Sequence, residues 1–107
     1  MKICICTAGS DLKSLVDQVF GRCSYFLFVD TETEESRAIK NKAKKTVRGA
    51  GIAAAQIIAD EKAELVIAGN IGPNALAALE QSDIKVISGA SGTAKKVLEK
   101  FEKGELK

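Results

Sequence analysis

Short apolar runs along the chain predict five β-strands. Val, Ile, Leu and aromatic residues dominate these runs, and turn-forming residues separate them. In the first run, Ile3 and Ile5 would face one side of a sheet and Cys4 and Cys6 the other, so we expect a central strand covered on both faces. The third run is more polar, which suits an edge strand. The predicted strands are residues 2–6, 24–29, 36–41, 65–68 and 84–87.

Apolar residues at helical spacing predict helices between the strands. A short amphipathic helix or helical turn is predicted over residues 12–19. Longer helices are predicted over residues 51–62, from Pro73 through residue 80, and over residues 94–101. Their apolar stripes are expected to comprise Ile52, Ala55, Ile58 and Ala59 in the first and Ala94, Val97, Leu98 and Phe101 in the third, and the second carries Leu76 and Leu79.

The order of these elements predicts an α/β fold, with residues 1–107 as a single domain. Three consecutive strands come first, and two strand–helix crossovers follow. Hairpin neighbours and right-handed crossovers favour the sheet order 3-2-1-4-5, with strand 2 antiparallel and helices on both faces. This five-stranded mixed sheet is typical of the ribonuclease H-like motif. Open α/β sheets bind ligands in the crevice where the chain leaves neighbouring strands, here 1 and 4, in opposite directions.

Five loops rich in Gly, Asn and Ser are predicted to converge at one end of the sheet. They follow strands 1, 4 and 5, precede strand 2, and lead into the first long helix. Free backbone N–H groups at helix starts, with an arginine nearby, favour an anionic ligand there. The candidate ligand-binding residues are Thr7, Gly9, Gly21, Arg22, Gly49, Gly51, Gly69, Asn70, Gly72, Asn74, Gly89, Ser91 and Gly92.

Composition limits the classes of function. The chain has 107 residues, 46% of them hydrophobic, and a formal net charge of +2. This small charge gives no support for nucleic-acid binding, and no apolar run is long enough to span a membrane. The apolar start is too short for a signal peptide, so we expect a cytoplasmic protein. Residues 42–48 are basic without a clear period, and we interpret them as a mobile loop.

The residues able to carry chemistry argue against an enzyme. The chain has three cysteines, Cys4, Cys6 and Cys23, and no histidine, which removes histidine-based catalysis and metal ligation. The first strand lacks the carboxylates that a magnesium-dependent nuclease of this fold would need. An odd number of cysteines without a secretion signal favours reduced thiols. We expect Cys4 in the core, whereas Cys6 and Cys23 suit either the core or the ligand site.

Five motifs cover essentially the whole chain. They are Met1-Lys2-Ile3 with Thr7 after the strand, Phe20-Gly21-Arg22 before Tyr25-Phe26, Gly49-Ala50-Gly51-Ile52, Gly69-Asn70-Ile71-Gly72-Pro73-Asn74-Ala75, and Gly89-Ala90-Ser91-Gly92. Each motif alone is weak. Together, in this order and spacing, they resemble the dinitrogenase iron–molybdenum cofactor biosynthesis family, the NifX/NifB-type domain.

The resemblance implies a non-enzymatic accessory protein that binds or carries an iron–sulfur or iron–molybdenum-type cluster or its precursor. It also implies a protein partner in cluster assembly. Arg22 matches the family's arginine and would face the anionic cluster. Family members often carry histidine just before Phe-Gly-Arg, where this chain has Val19, so metal ligation would fall to Cys6 or Cys23.

Two other functions stay open from the residues alone. The same helix starts would serve a phosphate or nucleotide-type small ligand, although the sequence has neither Gly-Lys-Ser/Thr nor a complete Gly-x-Gly-x-x-Gly after a strand. Alternatively, the chain would be a protein-interaction module without a ligand, in which the basic residues 42–48 meet an acidic partner.

Overall fold

The chain folds around one five-stranded sheet. The computed structural model describes residues 1–45 and 48–106. All eight of its helices and strands coincide with predicted ones, with ends that differ by one or two residues. They are β1 (Lys2–Thr7), β2 (Tyr25–Asp30), β3 (Ser36–Lys40), α1 (Ala50–Asp60), β4 (Leu65–Ile67), α2 (Pro73–Gln81), β5 (Lys85–Ile87) and α3 (Ala94–Glu102).

The strands lie in the order β3-β2-β1-β4-β5, which confirms the predicted sheet. β2 is antiparallel to β1, in a register that runs from Lys2 opposite Asp30 to Thr7 opposite Tyr25. β2 is also antiparallel to β3, whereas β4 is parallel to both β1 and β5. The carboxyl ends of β1, β4 and β5 therefore lie at one end of the sheet. The ribonuclease H-like name itself stays a prediction.

Each face of the sheet has its own apolar core. Cys4 and Cys6 of β1 belong to a core with buried residues of α1 and α2. Ile3 and Ile5 point to the opposite face and join a core with buried residues of α3. All four β1 side chains are fully buried, as the alternation of a central strand requires. Helices on both faces are thus confirmed.

Residues 12–19 do not form a helix, and only a single turn forms at the start of the segment, where the Ser14 N–H donates to the Asp11 carbonyl over 3.1 Å. The Val16 N–H donates to the Gly92 carbonyl over 2.8 Å, and the Asp17 N–H donates to the Cys6 carbonyl over 2.9 Å. These bonds tie the segment to β1 and to the loop before α3 instead of to its own preceding turn. Leu15 and Val19 are 60% and 50% exposed, so the apolar spacing does not mark a buried stripe.

The predicted buried stripe of α1 is wrong at Ile52, which is 50% exposed. The buried residues of α1 include Ala54, Ala55 and Ile58. At 3.6 residues per turn, Ile52 lies roughly a third of a turn away from the centre of that stripe. Its side chain therefore remains at the surface near the start of the helix.

The basic segment is only partly described. Lys42–Lys45 form a turn in which the Lys44 N–H donates to the Asn41 carbonyl over 3.3 Å. Thr46 and Val47, which also fall in the predicted mobile loop, lie outside the described residues. Within the described ranges, the helices are all too short or too polar to cross a membrane.

Candidate functional site

The N-terminal ends of α1 and α2 meet at a surface cleft of about 320 Å³. α1 starts after Gly49 and α2 after Gly72, and neither start has a side-chain cap. The unsatisfied N–H groups and positive dipole ends of two helices therefore converge at the same cleft. The cleft is lined by Val19, Phe20, Arg22, Gly49, Ala50, Gly51, Ile52, Gly72, Pro73, Asn74 and Ala75.

Gly21 allows the segment that carries Arg22 to pack tightly against α1. Its φ is +91°, in the left-handed region that favours glycine. A Cβ atom at this position would lie 2.9 Å from both the Cα and the N of Gly51. Any larger residue would push the segment away from the start of α1, so Gly21 maintains one wall of the cleft.

Arg22 places a positive charge on this wall. Its Nη1 donates to the Lys44 carbonyl over 2.8 Å, which holds the side chain between the cleft and the basic turn. Its N–H donates to the Val19 carbonyl over 3.2 Å. The guanidinium adds to the positive potential of the two helix ends, so the electrostatics of the cleft favour an anion.

Gly69 and Asn70 hold the segment that carries Phe20, a residue of the cleft lining, through backbone contacts. The Asn70 N–H donates to the Gln18 carbonyl over 2.7 Å, and the Asn70 carbonyl accepts from the Phe20 N–H over 2.8 Å. A Cβ atom on Gly69 would lie 2.7 Å from the carbonyl oxygen of Gln18, so only glycine permits this crossing. The two residues thus position Phe20 and its neighbours without lining the cleft themselves.

Gly72 is different, because its surroundings do not require glycine. Its φ of −71° and ψ of 163° suit any residue. A Cβ atom there would have no other atom within 4 Å. A side chain at position 72 would therefore extend into open space at the cleft and leave the packing of α2 unchanged.

Cys6 and Cys23 are fully buried beside the cleft and hydrogen-bond to each other. This bond lowers the pKa of Cys6, but the hydrogen bond with Cys4 and burial outweigh it and hold that pKa well above the ordinary value. The bond with Cys6, followed by burial, raises the pKa of Cys23. Both groups are therefore protonated near neutral pH, whereas a metal binds the thiolate.

The described residues contain no group of three or more His, Cys, Asp or Glu side chains that could hold a metal ion. Cys4, expected in the core, is buried there with the other two thiols. Metal ligation by Cys6 or Cys23 stays a prediction.

The structure brings only some of the predicted ligand-binding residues to the cleft. Of the predicted residues, five line the cleft: Arg22, Gly49, Gly51, Gly72 and Asn74. Thr7 is buried, and its Oγ1 donates to the Gly9 carbonyl over 2.7 Å. The residues of the loop between β5 and α3 also lie outside the lining: Gly89, Ser91 and Gly92.

Sequence reasoning missed the apolar part of the cleft. Val19 and Ile52 are each half exposed there, although their helical spacing predicts burial. This part of the lining also includes Phe20, Ala50, Pro73 and Ala75. A signal was present, since Phe20 and Ile52 belong to two of the glycine-containing motifs, Phe20-Gly21-Arg22 and Gly49-Ala50-Gly51-Ile52.

Two clefts of at least 520 Å³ lie elsewhere. One of about 740 Å³ runs beside β5 and is lined largely by apolar residues, among them Val86 and Phe101. The other, of about 520 Å³, lies near Lys2 and Arg37, which both pair with the Glu61 carboxylate. Neither is lined by a helix N-terminus, so volume alone does not select the site.

Comparisons with known proteins agree with this architecture. Residues 1–104 match the family model described as dinitrogenase iron-molybdenum cofactor. The apo form of the orange protein from Desulfovibrio gigas is 33% identical, with a TM-score of 0.96 over 99% of this chain and 90% of that chain. A putative NifB protein from Thermotoga is 30% identical, with a TM-score of 0.86 over 99% of this chain and 90% of that chain.

A curated relative extends the similarity to an archaeon. The protein MJ0580 of Methanocaldococcus jannaschii is 31% identical over 90 residues, which cover 81% of this chain and 76% of that protein.

Proposed function

The chain belongs to the dinitrogenase iron–molybdenum cofactor family, and we propose that it is a non-enzymatic accessory protein for a metallocluster. It binds or carries an iron–sulfur or iron–molybdenum-type cluster, or its precursor, at the cleft between α1 and α2. Family membership supports the cluster-related accessory role. The observation that carries the choice of cleft is the meeting of two uncapped helix N-termini beside Arg22.

The donor groups of the cleft suit an anionic cluster. The first intrahelical bonds are those from the Ala53 N–H to the Gly49 carbonyl and from the Leu76 N–H to the Gly72 carbonyl. The N–H groups of the preceding residues in each first turn have no partner within the helix. The sulfides of a cluster accept hydrogen bonds from such groups, and Arg22 compensates negative charge.

The shape and polarity of the cleft support a compact ligand with a polarisable surface. Its volume of about 320 Å³ lies at the lower end of the range of roughly 300–1,000 Å³ for small-ligand sites. Val19 and Ile52 present apolar surface next to the N–H donors. A sulfide-rich anion tolerates such apolar contacts better than a strongly hydrated phosphate does.

We propose that the cluster is first held without a covalent bond. Cys6 and Cys23 are buried and protonated, so neither thiol reaches the cleft in this conformation. Ligation by a thiolate would require the segment around Cys23 to move away from β1 and the thiol to lose its proton. The N–H groups and Arg22 can bind the cluster without either change, because they already lie at the surface.

Gly72→Val tests the cleft directly. The purified protein and the variant are incubated anaerobically with Fe²⁺ and inorganic sulfide, with and without molybdate, and absorbance is recorded after removal of unbound ions. We expect a charge-transfer band with the wild type and at least a tenfold loss of retained metal in the variant, because valine fills open space in the cleft. Ala77→Val, which adds the same kind of side chain at an exposed position of α2, is the control.

Two further measurements complete this experiment. Thermal unfolding of Gly72→Val should match that of the wild type, which shows that only the cleft has changed. A Cys6→Ser/Cys23→Ser variant that keeps the band supports non-covalent binding, whereas loss of the band from this folded variant assigns ligation to a thiolate. If the wild type shows no band and is instead stabilised by ATP or inorganic phosphate, the cluster proposal is wrong and the ligand is of the phosphate type.

A further inference from the structure

Four lysines project from one short stretch next to the candidate site. Lys40, Lys42, Lys44 and Lys45 line a cleft of about 340 Å³ whose lining contains no carboxylate. None of the four forms an ion pair with a residue in the described part of the chain. Four of the 16 Lys and Arg residues of a chain with a formal net charge of only +2 thus lie at this cleft.

Asn41 fixes the backbone beneath these lysines. It is buried, and its Nδ2 donates to the carbonyls of Gly21 and Cys23 over 3.0 and 2.9 Å. Its Oδ1 accepts from the Ala43 N–H over 2.9 Å, and Ala43 is buried as well. Buried residues at 41 and 43 therefore alternate with exposed lysines, and the cations are held on a preformed support.

We propose that this lysine surface, formed by Lys40, Lys42, Lys44 and Lys45, docks an acidic peptide segment of a partner protein. Ammonium groups on long stems act as point charges that can meet carboxylates spaced along a peptide. A preformed backbone lowers the entropy lost on binding. Complementary charge speeds the encounter and orients the partner.

An acidic peptide fits the lysine surface better than a nucleic acid does. The lining contains no aromatic side chain on which a base could stack. The only other polar side chains there are Ser24 and Asn41, and Asn41 is occupied in supporting the turn. The surface thus offers charge without base recognition.

The lysine surface adjoins the cluster cleft through direct contacts. The Lys44 carbonyl accepts from Arg22, and Asn41 donates to the carbonyl of Gly21, which packs against α1. A docked partner would therefore lie beside the cleft. Docking itself requires no cluster, so it can be measured on the protein alone and can fail while the proposed cluster binding holds.

Fluorescence anisotropy with a labelled oligoglutamate peptide tests the proposal. We expect binding that weakens as salt concentration rises. The variant Lys42→Gln/Lys45→Gln should bind about tenfold more weakly, the loss expected for two partly screened charge pairs. Its fold should be retained, because both side chains are exposed. Lys96→Gln/Lys100→Gln on α3 changes the net charge equally and should bind as the wild type does.

The outcomes separate the proposal from its competitors. Chemical-shift changes of the Ala43 and Gly21 amides on addition of the peptide would support docking at the lysine surface. An equal loss of affinity in the α3 variant would overturn the proposal, because it would indicate a non-specific response to net charge. Tighter binding of an oligothymidine strand, or displacement of the peptide by inorganic phosphate at similar concentration, would also overturn it.

Discussion

Gly21 and Gly72 lie at the same cleft for different physical reasons. Gly21 has a positive φ and leaves no room for a Cβ atom, so the fold depends on it. Gly72 has an ordinary conformation and open space around it, so nothing in its surroundings requires glycine. The sequence shows two similar glycines, and only the neighbours in space tell them apart.

Gly21→Ala should destabilise the protein by about 3 kcal/mol, because the new Cβ collides with the backbone of Gly51 in addition to its left-handed strain. Gly104→Ala is the matched control, since its φ is +76° but no atom lies within 4 Å of its Cβ position. We expect that control to lose only about 1–2 kcal/mol. Urea unfolding measures both, and equal losses would show that the contact with Gly51 costs nothing.

The buried thiols should make the protein less stable at alkaline pH. The folded-state pKa of Cys6 and of Cys23 is raised above the ordinary value of 9.0, so the folded state keeps protons that the unfolded state releases. The contribution of the two thiols to the free energy of unfolding is fully present below pH 9.0 and is lost as the pH rises from there through the raised pKa. Each thiol should lower the free energy of unfolding by up to about 1.4 kcal/mol per pH unit in this window.

Urea unfolding at pH 8, 9 and 10 measures this effect. A Cys6→Ala/Cys23→Ala variant should show a smaller decline than the wild type over the same range, because it lacks the two thiols whose pKa is raised in the folded state. Identical slopes in the two proteins would mean that the thiols are not held protonated in the folded state.

The three helices differ in whether a side chain caps their N-terminus. α3 has a side-chain cap, since Thr93 Oγ1 accepts from the Lys96 N–H over 3.2 Å. α1 and α2, whose starts line the candidate cleft, have none. In α3, on the opposite face of the sheet, a side chain of the chain itself thus accepts from a first-turn N–H group. In α1 and α2 the first-turn N–H groups have no such side-chain acceptor and are available to another acceptor.

Thr93→Ala should destabilise the protein by about 1 kcal/mol, because the first turn of α3 loses its only side-chain acceptor within the described residues. Ser91→Ala, an exposed change in the same loop, is the control and should cost little. The midpoint of urea unfolding measures the difference. A Thr93→Ala variant as stable as the control would show that water replaces the cap without cost.

Over the whole molecule, the cleft at α1 and α2 and the lysine surface lie at one end of the sheet. The cleft at α1 and α2 combines backbone donors with Arg22, and the lysine surface adjoins it through Asn41 and Lys44. Arg37 near the opposite end is instead paired with Glu61, whose pKa is lowered chiefly by that hydrogen bond. The proposed cargo and the proposed partner therefore meet the same end of the protein.

Most of the fold could be predicted because it follows from local patterns. Two-residue alternation identifies β1 as a central strand, helical spacing locates α3, and hairpins with right-handed crossovers leave few sheet orders. Residues 12–19 carry the same helical spacing, yet the N–H groups of Val16 and Asp17 bond to Gly92 and Cys6 instead. Local spacing cannot reveal that competition, because the acceptors come from distant parts of the chain.

The sequence by itself determined the elements, the sheet order and the family, because periodicity, connection rules and motif spacing are all written along the chain. Only the tertiary structure decided which loops form the cleft. Gly21 meets Gly51, Asn41 meets Gly21, and Gly69 meets Gln18 across long separations in sequence. It also decided that Cys6 and Cys23 are buried and protonated. Burial and close contact depend on all neighbours in space, which no single stretch of sequence contains.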